Sequence, residues 1–362
     1  MKILAYFTGV AGFLVLVGLI LHQGLSDLIR ALAQAGWPLL LLLPAHIVPL
    51  LLDAQGWRTL LAPLDPKRRA TLPFLLWIAS IREAVGRLLP VAGIGGEVVG
   101  IRLSRLRIDD TTAVTASVIV EVLITLVTQY LFCGIGIVLL MATAPGLGHI
   151  WTMTVALLLS LPVPVVLFFL LRHGAVFERI EGFAKKTLGA DNRFAMQLEG
   201  ARLDAEIHLL FAQPARLLRA LAWQLGGYLL GSFETWFALH LLGHPVGVGT
   251  AVAIEALTQA ARHATFIVPG GLGVQEASVM VLGYLAGVSG EVALSLALVT
   301  RMREILFGVP ALLSWQWTEA HWMRRASGVA RRIATSRSPL DPPKGFSART
   351  RIPLQGATPF VP

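Results

Sequence analysis

The chain has 362 residues, 55% of them hydrophobic and only 14% charged, with a mean hydropathy of +0.71. Soluble domains average about 45–50% apolar and about 25% charged residues, and disorder requires low hydrophobicity, so this composition excludes both for the bulk of the chain and selects lipid as the solvent. A lone Cys133 in an apolar run excludes a disulfide framework and reads as inert packing, and the net charge of +9 points to nucleic acid or to the basic cytoplasmic loops of a membrane protein.

A membrane-crossing helix needs about 20 mainly apolar residues. Residues 3–21, ILAYFTGVAGFLVLVGLIL, form the first expected span. The HQGLSD that follows has no small-x-small cleavage pattern, so this segment reads as a retained helix and not as a signal peptide. The second span runs from Trp37 to Trp57, and its Pro44 and Pro49 predict a kink. A basic loop with Arg58, Lys67, Arg68 and Arg69 leads to a mixed region, Thr71–Ile108, and then to a long apolar stretch, Thr111–Ala142. An uncharged TAPGLGH turn precedes a span over Ile150–Leu171. Residues 172–216 are polar and predict an amphipathic helix pair at the membrane surface. Spans over Leu217–Leu242 and Val292–Trp315 bring the total to six, with a second mixed region, Val248–Gly290, between them. The last 47 residues, 316–362, are basic and Pro/Ser-rich, and read as a disordered, solvated tail behind a membrane domain of residues 1–315.

Lysine and arginine in the loops assign the cytoplasmic side. There are four in 58–70, three in 102–107, seven in 172–216 and eight after Trp315, whereas 22–36, 143–149 and 243–247 hold only Arg30. Both termini are therefore expected in the cytoplasm, and the positive charge is topological, which removes the argument for nucleic acid. The loops flanking residues 71–101 then lie on one face, yet about 40 residues are needed for two spans and a turn. A re-entrant hairpin resolves the conflict, provided that protein buries its turn. For Val248–Gly290 the parity permits a hairpin entering from outside or two short spans, and the hairpin is favoured.

The two mixed regions resemble each other. In each, a proline is followed seven positions later by a glutamate, Pro90 to Glu97 and Pro269 to Glu276. Three glycines lie between, Gly93, Gly95 and Gly96 in the first and Gly270, Gly271 and Gly273 in the second, and Arg82 and Arg87, then Arg262 and His263, precede the prolines. Proline ends a helix, glycine permits close backbone approach, and an acid suits the first turn of the next helix. Two such elbows entering from opposite faces form an inverted repeat, and paired Gly/Pro breaks point to a transporter's binding site.

Ionisable residues in the spans add to this, because such groups face an interior or an aqueous path. Glu255, Gln259, Arg262 and His263 form one stripe at helical spacing, Glu83 and Arg87 can pair at i, i+4, and Arg301, Arg303 and Glu304 interrupt the last span. Glu121 and Glu234 are solitary acids in apolar runs. Arginines suit an anionic or hydroxylated head group, and buried glutamates suit protons or an amine. The motifs of a P-loop, of an H-E-x-x-H metal site and of a G-x-S-x-G nucleophile do not occur, so no cofactor or metal is expected.

FIVPGGLGVQEAS, and PVAGIGGEVVGIRLSRL with the later SVIVEVLITL, resemble the flippase-like family of the lysylphosphatidylglycerol synthase transmembrane region, the membrane half of the multiple peptide resistance factor. EALTQAARHATFIVPGGLGVQEA and RMREILFGVPALLSWQ further resemble its hopanoid-associated branch. The resemblance implies a lipid-binding cavity at the residues of both elbows, with Glu121 as the family's acid in the following span. Gln275 stands where many members carry a basic residue. Full-length members carry an aminoacyl-transferase module after the membrane part. Here a 47-residue tail follows, so synthase activity is not implied. The expected function is a non-enzymatic lipid translocator of the bacterial inner membrane, acting on membrane lipids such as hopanoids. The rival expectation is a membrane scaffold for a lipid-modifying enzyme on another chain.

Overall fold

In the computed structural model, the residues described are 33, 36–89, 95–143, 149–188, 199–265, 268 and 271–336. The expected first span, 3–21, lies outside them, as do Pro90, Gly93, Pro269, Gly270 and residues 337–362. Among the described residues every regular element is helical. A 3-10 turn, Trp37–Leu41, leads into α1 (Leu42–Leu61), followed by α2 (Leu72–Leu88), α3 (Gly95–Ser104) and α4 (Thr111–Thr143). Then come α5 (His149–Ser160), α6 (Pro162–His173), α7 (Val176–Leu188) and α8 (Gly200–Phe211). The remaining helices are α9 (Pro214–Leu241), α10 (Val248–Ala264), α11 (Val274–Leu285) and α12 (Gly290–Ser336). The chain divides into two compact units, residues 1–313 and 314–362.

Three helical stretches are long and apolar enough to cross a bilayer: Trp37–Leu61, Thr111–Thr143 and Met153–His173. The expected span over Ile150–Leu171 is two helices, because Pro162 and Pro164 remove two amide donors in succession. The carbonyl of Ser160, which a residue 164 amide would have met in an unbroken helix, instead accepts the Tyr130 hydroxyl at 2.9 Å. That substitution meets the requirement that backbone groups at membrane depth be satisfied by protein. The apolar side chains of α5 and α6 (Leu158, Leu159, Val163, Val166, Phe169) point outward and only Pro164 and Leu171 of α6 are buried, an arrangement that suits lipid and not water. The tail expected to lack structure from residue 316 is helical as far as Ser336, where Trp315 donates to Glu319 one turn on and Ala- and Arg-rich sequence favours a helix.

The polar 172–216 segment holds the helix pair α7 and α8. Asp204 of α8 accepts the amides of Phe177 (3.3 Å) and Glu178 (2.9 Å) at the start of α7, and Glu181 of α7 accepts the Gly200 amide at the start of α8 (2.7 Å). Each helix thus satisfies amides that the other leaves free. The Lys185 ammonium, followed by the Gly200 amide, holds the Glu181 carboxyl below its ordinary value of 4.5.

Helix starts recur in the chain. Val274 follows Gly95, and Gly290 follows Thr111, by the same 179 positions. The equivalent helices α1 and α9 pack antiparallel: Glu234 lies against His46, Gly227 against the Pro49 carbonyl (3.1 Å from a Cβ placed there) and Gly56 against the Ala220 carbonyl (3.4 Å). Pairing is reciprocal elsewhere, with α4 meeting α10 at Gly136 and Ala256, and α2 meeting α12 at Ala84 and Gly308.

Two of the apolar cores among the described residues flank the middle of the bundle. One gathers Leu39, Cys133, Ile137, Leu239, Ala253 and Leu296, and the other gathers Leu60, Val120, Ile207, Leu210 and Ala220. Along α1 and α9 the polar residues His46, Asp53, Gln224 and Glu234 fall between the two cores. The middle of the bundle is the polar part.

Candidate functional site: a charged cavity between two glycine elbows

Both elbows open into a new helix whose third residue is the glutamate, Glu97 in α3 and Glu276 in α11. At the second, Gly273 adopts φ +77°, a conformation that side chains disfavour, and the Glu276 carboxylate turns back to accept its amide at 2.8 Å. At the first, a Cβ on Gly96 would lie 2.6 Å from the Arg82 carbonyl oxygen, so glycine is what lets α3 close on α2.

Arg82 of α2 ties the first elbow together. Its guanidinium meets both oxygens of Glu121 on α4 (2.9 and 3.1 Å) and pairs with Glu97, while it stacks 4.9 Å over the Trp57 ring. Trp57 is fixed in turn by donation to Ser117 at 3.1 Å. At the second elbow the equivalent duty passes to the helix that follows. Arg301 of α12 donates to Glu276 from Nε (3.1 Å) and Nη2 (2.8 Å), and to Glu304 from Nη1 (2.9 Å).

From there one ion-paired chain crosses the bundle. Glu304 accepts from Arg87 at 2.9 Å, Arg87 lies 3.5 Å from Glu83, and Glu83 meets His46 Nε2 at 2.9 Å. His46 Nδ1 meets Glu234 at 3.0 Å, and Glu234 pairs with Arg303. The stripe on α10 stands beside this chain: Glu255 accepts from Thr235 (2.7 Å) and Gln259 (2.9 Å), Arg262 reaches Gln275 (3.4 Å) and Glu304 (3.8 Å), and His263 Nδ1 lies 2.8 Å from the Gln259 carbonyl.

These groups surround a cavity of about 380 Å³. Of the residues singled out in the sequence, Arg82, Arg87, Gly96, Glu97, Glu121, Glu255, Gln259, Arg262, His263 and Gly271 line it. Glu276, Arg301 and Glu304 sit behind the wall as a buried ion-paired group, and Gly95 and Gly273 stand at the heads of the elbow helices. The glutamates of α2 and α9 and the arginine Arg303, read only as charges in spans, also face the cavity.

The sequence reading missed His46, Asp53, Gln224 and Tyr228, which also line the cavity. A signal for two of them was present: His46 and Asp53 are polar residues seven positions apart in an apolar run, hence on one helix face. Gln224 braces Asp53 (3.5 Å) and Thr125 (3.0 Å) from α9. Such a site can hold a polar or charged group at a depth where lipid cannot. Groups of three or more His, Cys, Asp or Glu side chains arranged for a metal do not occur among the described residues.

Comparison with curated proteins and with solved structures found no match in either case. The family described as Lysylphosphatidylglycerol synthase TM region matches residues 6–311. The chain is a membrane protein with a lipid-related function, and it belongs to that family.

Proposed function

We propose that this protein moves a lipid with a polar head group between the leaflets of a bacterial cytoplasmic membrane. The observation that carries this reading is the cavity of about 380 Å³, charged on its wall and placed between two apolar cores. Its size falls in the range of about 300–1,000 Å³ that accommodates small-molecule groups. A head group crossing hydrocarbon alone loses its hydrogen bonds, at a cost of several kcal/mol per polar group. The cavity would replace those bonds while the acyl or terpenoid part stays in lipid.

In this reading the chain has six spans, with both termini in the cytoplasm. Residues 71–101 and 248–290 are re-entrant hairpins entering from opposite faces. The 179-residue recurrence and the antiparallel packing of α1 on α9 support the inversion. The cargo is a hopanoid with a polar side chain, a choice that rests on the resemblance of the second elbow. The protein acts without catalysing a covalent step.

Reconstitution tests this. A hopanoid polyol bearing a fluorophore, with labelled phosphatidylethanolamine and phosphatidylglycerol in parallel, is placed in proteoliposomes, and loss of outer-leaflet fluorescence to an impermeant quencher is followed. Accelerated access of the inner-leaflet pool to quencher is the expected result, with the polyol fastest. Folded protein that moves none of the three sinks the translocator reading and favours the scaffold for a lipid-modifying enzyme.

A further inference from the structure

His46 has an arrangement that a neutral imidazole cannot satisfy. Both ring nitrogens lie within hydrogen-bond distance of carboxylates, Nδ1 at 3.0 Å from Glu234 and Nε2 at 2.9 Å from Glu83. A neutral ring carries one N–H and one lone pair, and an ionised carboxylate offers only acceptors. Two acceptors facing one lone pair and one donor leave a repulsive contact. One additional proton removes it, either on the ring, which then donates twice, or on one of the carboxyls. The three side chains together therefore hold one proton more than a neutral imidazole and two carboxylates do.

The surrounding charge agrees. The groups that face the site are Glu83 and Arg87 from α2, Glu234 from α9, Arg303 from α12, and Asp53 on His46's own helix α1; across the cavity α10 presents Glu255, Arg262 and His263. Behind them stand Glu304, Arg301 and Glu276. On this side of the cavity, five glutamates (Glu83, Glu234, Glu255, Glu276, Glu304) and Asp53 meet four guanidiniums (Arg87, Arg262, Arg301, Arg303), an excess of acids that a protonated imidazole reduces. The Phe307 ring packs edge-on against the imidazole with centroids 5.0 Å apart, while His46, Glu83 and Glu234 line the cavity, so the cavity is the route by which the proton exchanges.

We propose that His46, clamped between Glu83 and Glu234, is a proton-binding site that couples lipid movement to the proton gradient. The coupling rests on the translocator reading above, and the proton site itself does not. The sense of coupling follows from the donors. A head group whose hydroxyls or ammonium donate to Glu83 or Glu234 takes acceptor sites that the protonated imidazole otherwise fills. Head group and proton compete for Glu83 and Glu234, and by linkage each expels the other. Lipid and proton then travel in opposite directions.

Two measurements separate the claims. In the purified full chain labelled with ¹⁵N-histidine, the signal lost in His46→Gln is expected to show both ring nitrogens protonated at neutral pH. A neutral ring accompanied by an infrared carboxylic-acid stretch that vanishes in Glu234→Gln or in Glu83→Gln supports the site equally. A neutral ring without such a stretch overturns it. In proteoliposomes carrying the labelled hopanoid polyol, one pH unit across the membrane should bias the probe toward the more acidic side by up to about tenfold at one proton per lipid. His46→Gln should abolish the bias, with Glu83→Gln used if His46→Gln does not yield folded protein. A probe that equilibrates without bias in the native protein overturns the coupling and leaves translocation standing. A probe that does not move at all overturns translocation and coupling together, and the proton site is then decided by the histidine signal.

Discussion

Replacing Arg82 by methionine tests whether the first elbow is held by charge. The methionine keeps a stem beside Gly100 but removes the guanidinium and its stacking on Trp57. Glu121, only 1% exposed, then loses two hydrogen bonds of 2.9 and 3.1 Å and has no other cation within pairing distance among the described residues. Glu97 is affected less, since its side chain is 25% exposed toward the cavity and water can replace the guanidinium. Breaking a buried pair from one side costs about 3–5 kcal/mol, because the remaining charge is left uncompensated. At about 2 °C per kcal/mol for a chain of this size, detergent-solubilised protein should lose about 6–10 °C in thermal midpoint, compared at one heating rate. The double variant Arg82→Met/Glu121→Leu removes both charges and should recover most of that loss, giving a coupling energy above about 1 kcal/mol. A single variant that melts within about 1 °C of the native protein refutes the assignment, as does a double variant whose losses merely add.

Gly96→Ala should cost about 1–3 kcal/mol and slow lipid movement, since its Cβ would press 2.6 Å from a backbone oxygen of α2. Gly134→Ala, also helical but facing open space, should raise stability by about 0.5–1 kcal/mol and the melting temperature slightly with it. Equal effects at the two sites would show that close approach is not the reason for glycine at the elbow. Tyr130→Phe should destabilise by about 1–3 kcal/mol by leaving the Ser160 carbonyl without its donor at the proline break, and an unchanged melting curve would show that this carbonyl finds another partner. The α7–α8 contact should loosen in acid. The carboxyl of Glu181 has its folded pKa below the ordinary 4.5, so its contribution is complete above that value and is lost as pH falls through the folded one. Hydrogen exchange at Gly200, corrected for intrinsic rates, should rise on that descent and become pH-insensitive in Glu181→Gln. Protection that is the same in both proteins refutes the link.

Helix positions were readable because each boundary has a local chemical cause. Apolar runs of membrane-crossing length give α4, and the Gly/Pro elbows give the starts of α3 and α11 with a glutamate in the first turn. The interruption at Leu161 was readable in principle from Pro162 and Pro164, but hydropathy alone joins the two halves into one span. Contacts across the bundle were legible only in outline. Glu83 and Arg87 meet, as do Arg301 and Glu304, because i, i+4 and i, i+3 spacing places them together within one helix. Nothing local says that Arg87 reaches Glu304 over 217 positions, or that His46 reaches Glu234 over 188. Those pairings depend on the antiparallel seating of α1 on α9 and on α2 meeting α12, which only tertiary packing decides.

That packing has a consequence for the charge on the cavity. The backbone repeats after 179 positions, but the side chains do not repeat with it. In the first half the arginine that holds the elbow glutamate lies on the helix before it, at Arg82, and the next helix supplies an acid, Glu121. In the second half the helix after the elbow supplies the arginine, Arg301, one position beyond the equivalent of Glu121. Around the first elbow Arg82 therefore faces three carboxylates, those of Glu121, Glu97 and Asp53. Around the second, Glu276 and Glu304 face Arg87, Arg262 and Arg301. An exact twofold would make the two ends of the cavity electrostatically identical. An acid on the helix after one elbow, and a base one position along on the helix after the other, give the two ends of the cavity different distributions of charge. A group inside the low-dielectric bundle feels that difference strongly. Symmetric helices supply the enclosure, and the broken symmetry of charge gives a bound head group a preferred orientation within it.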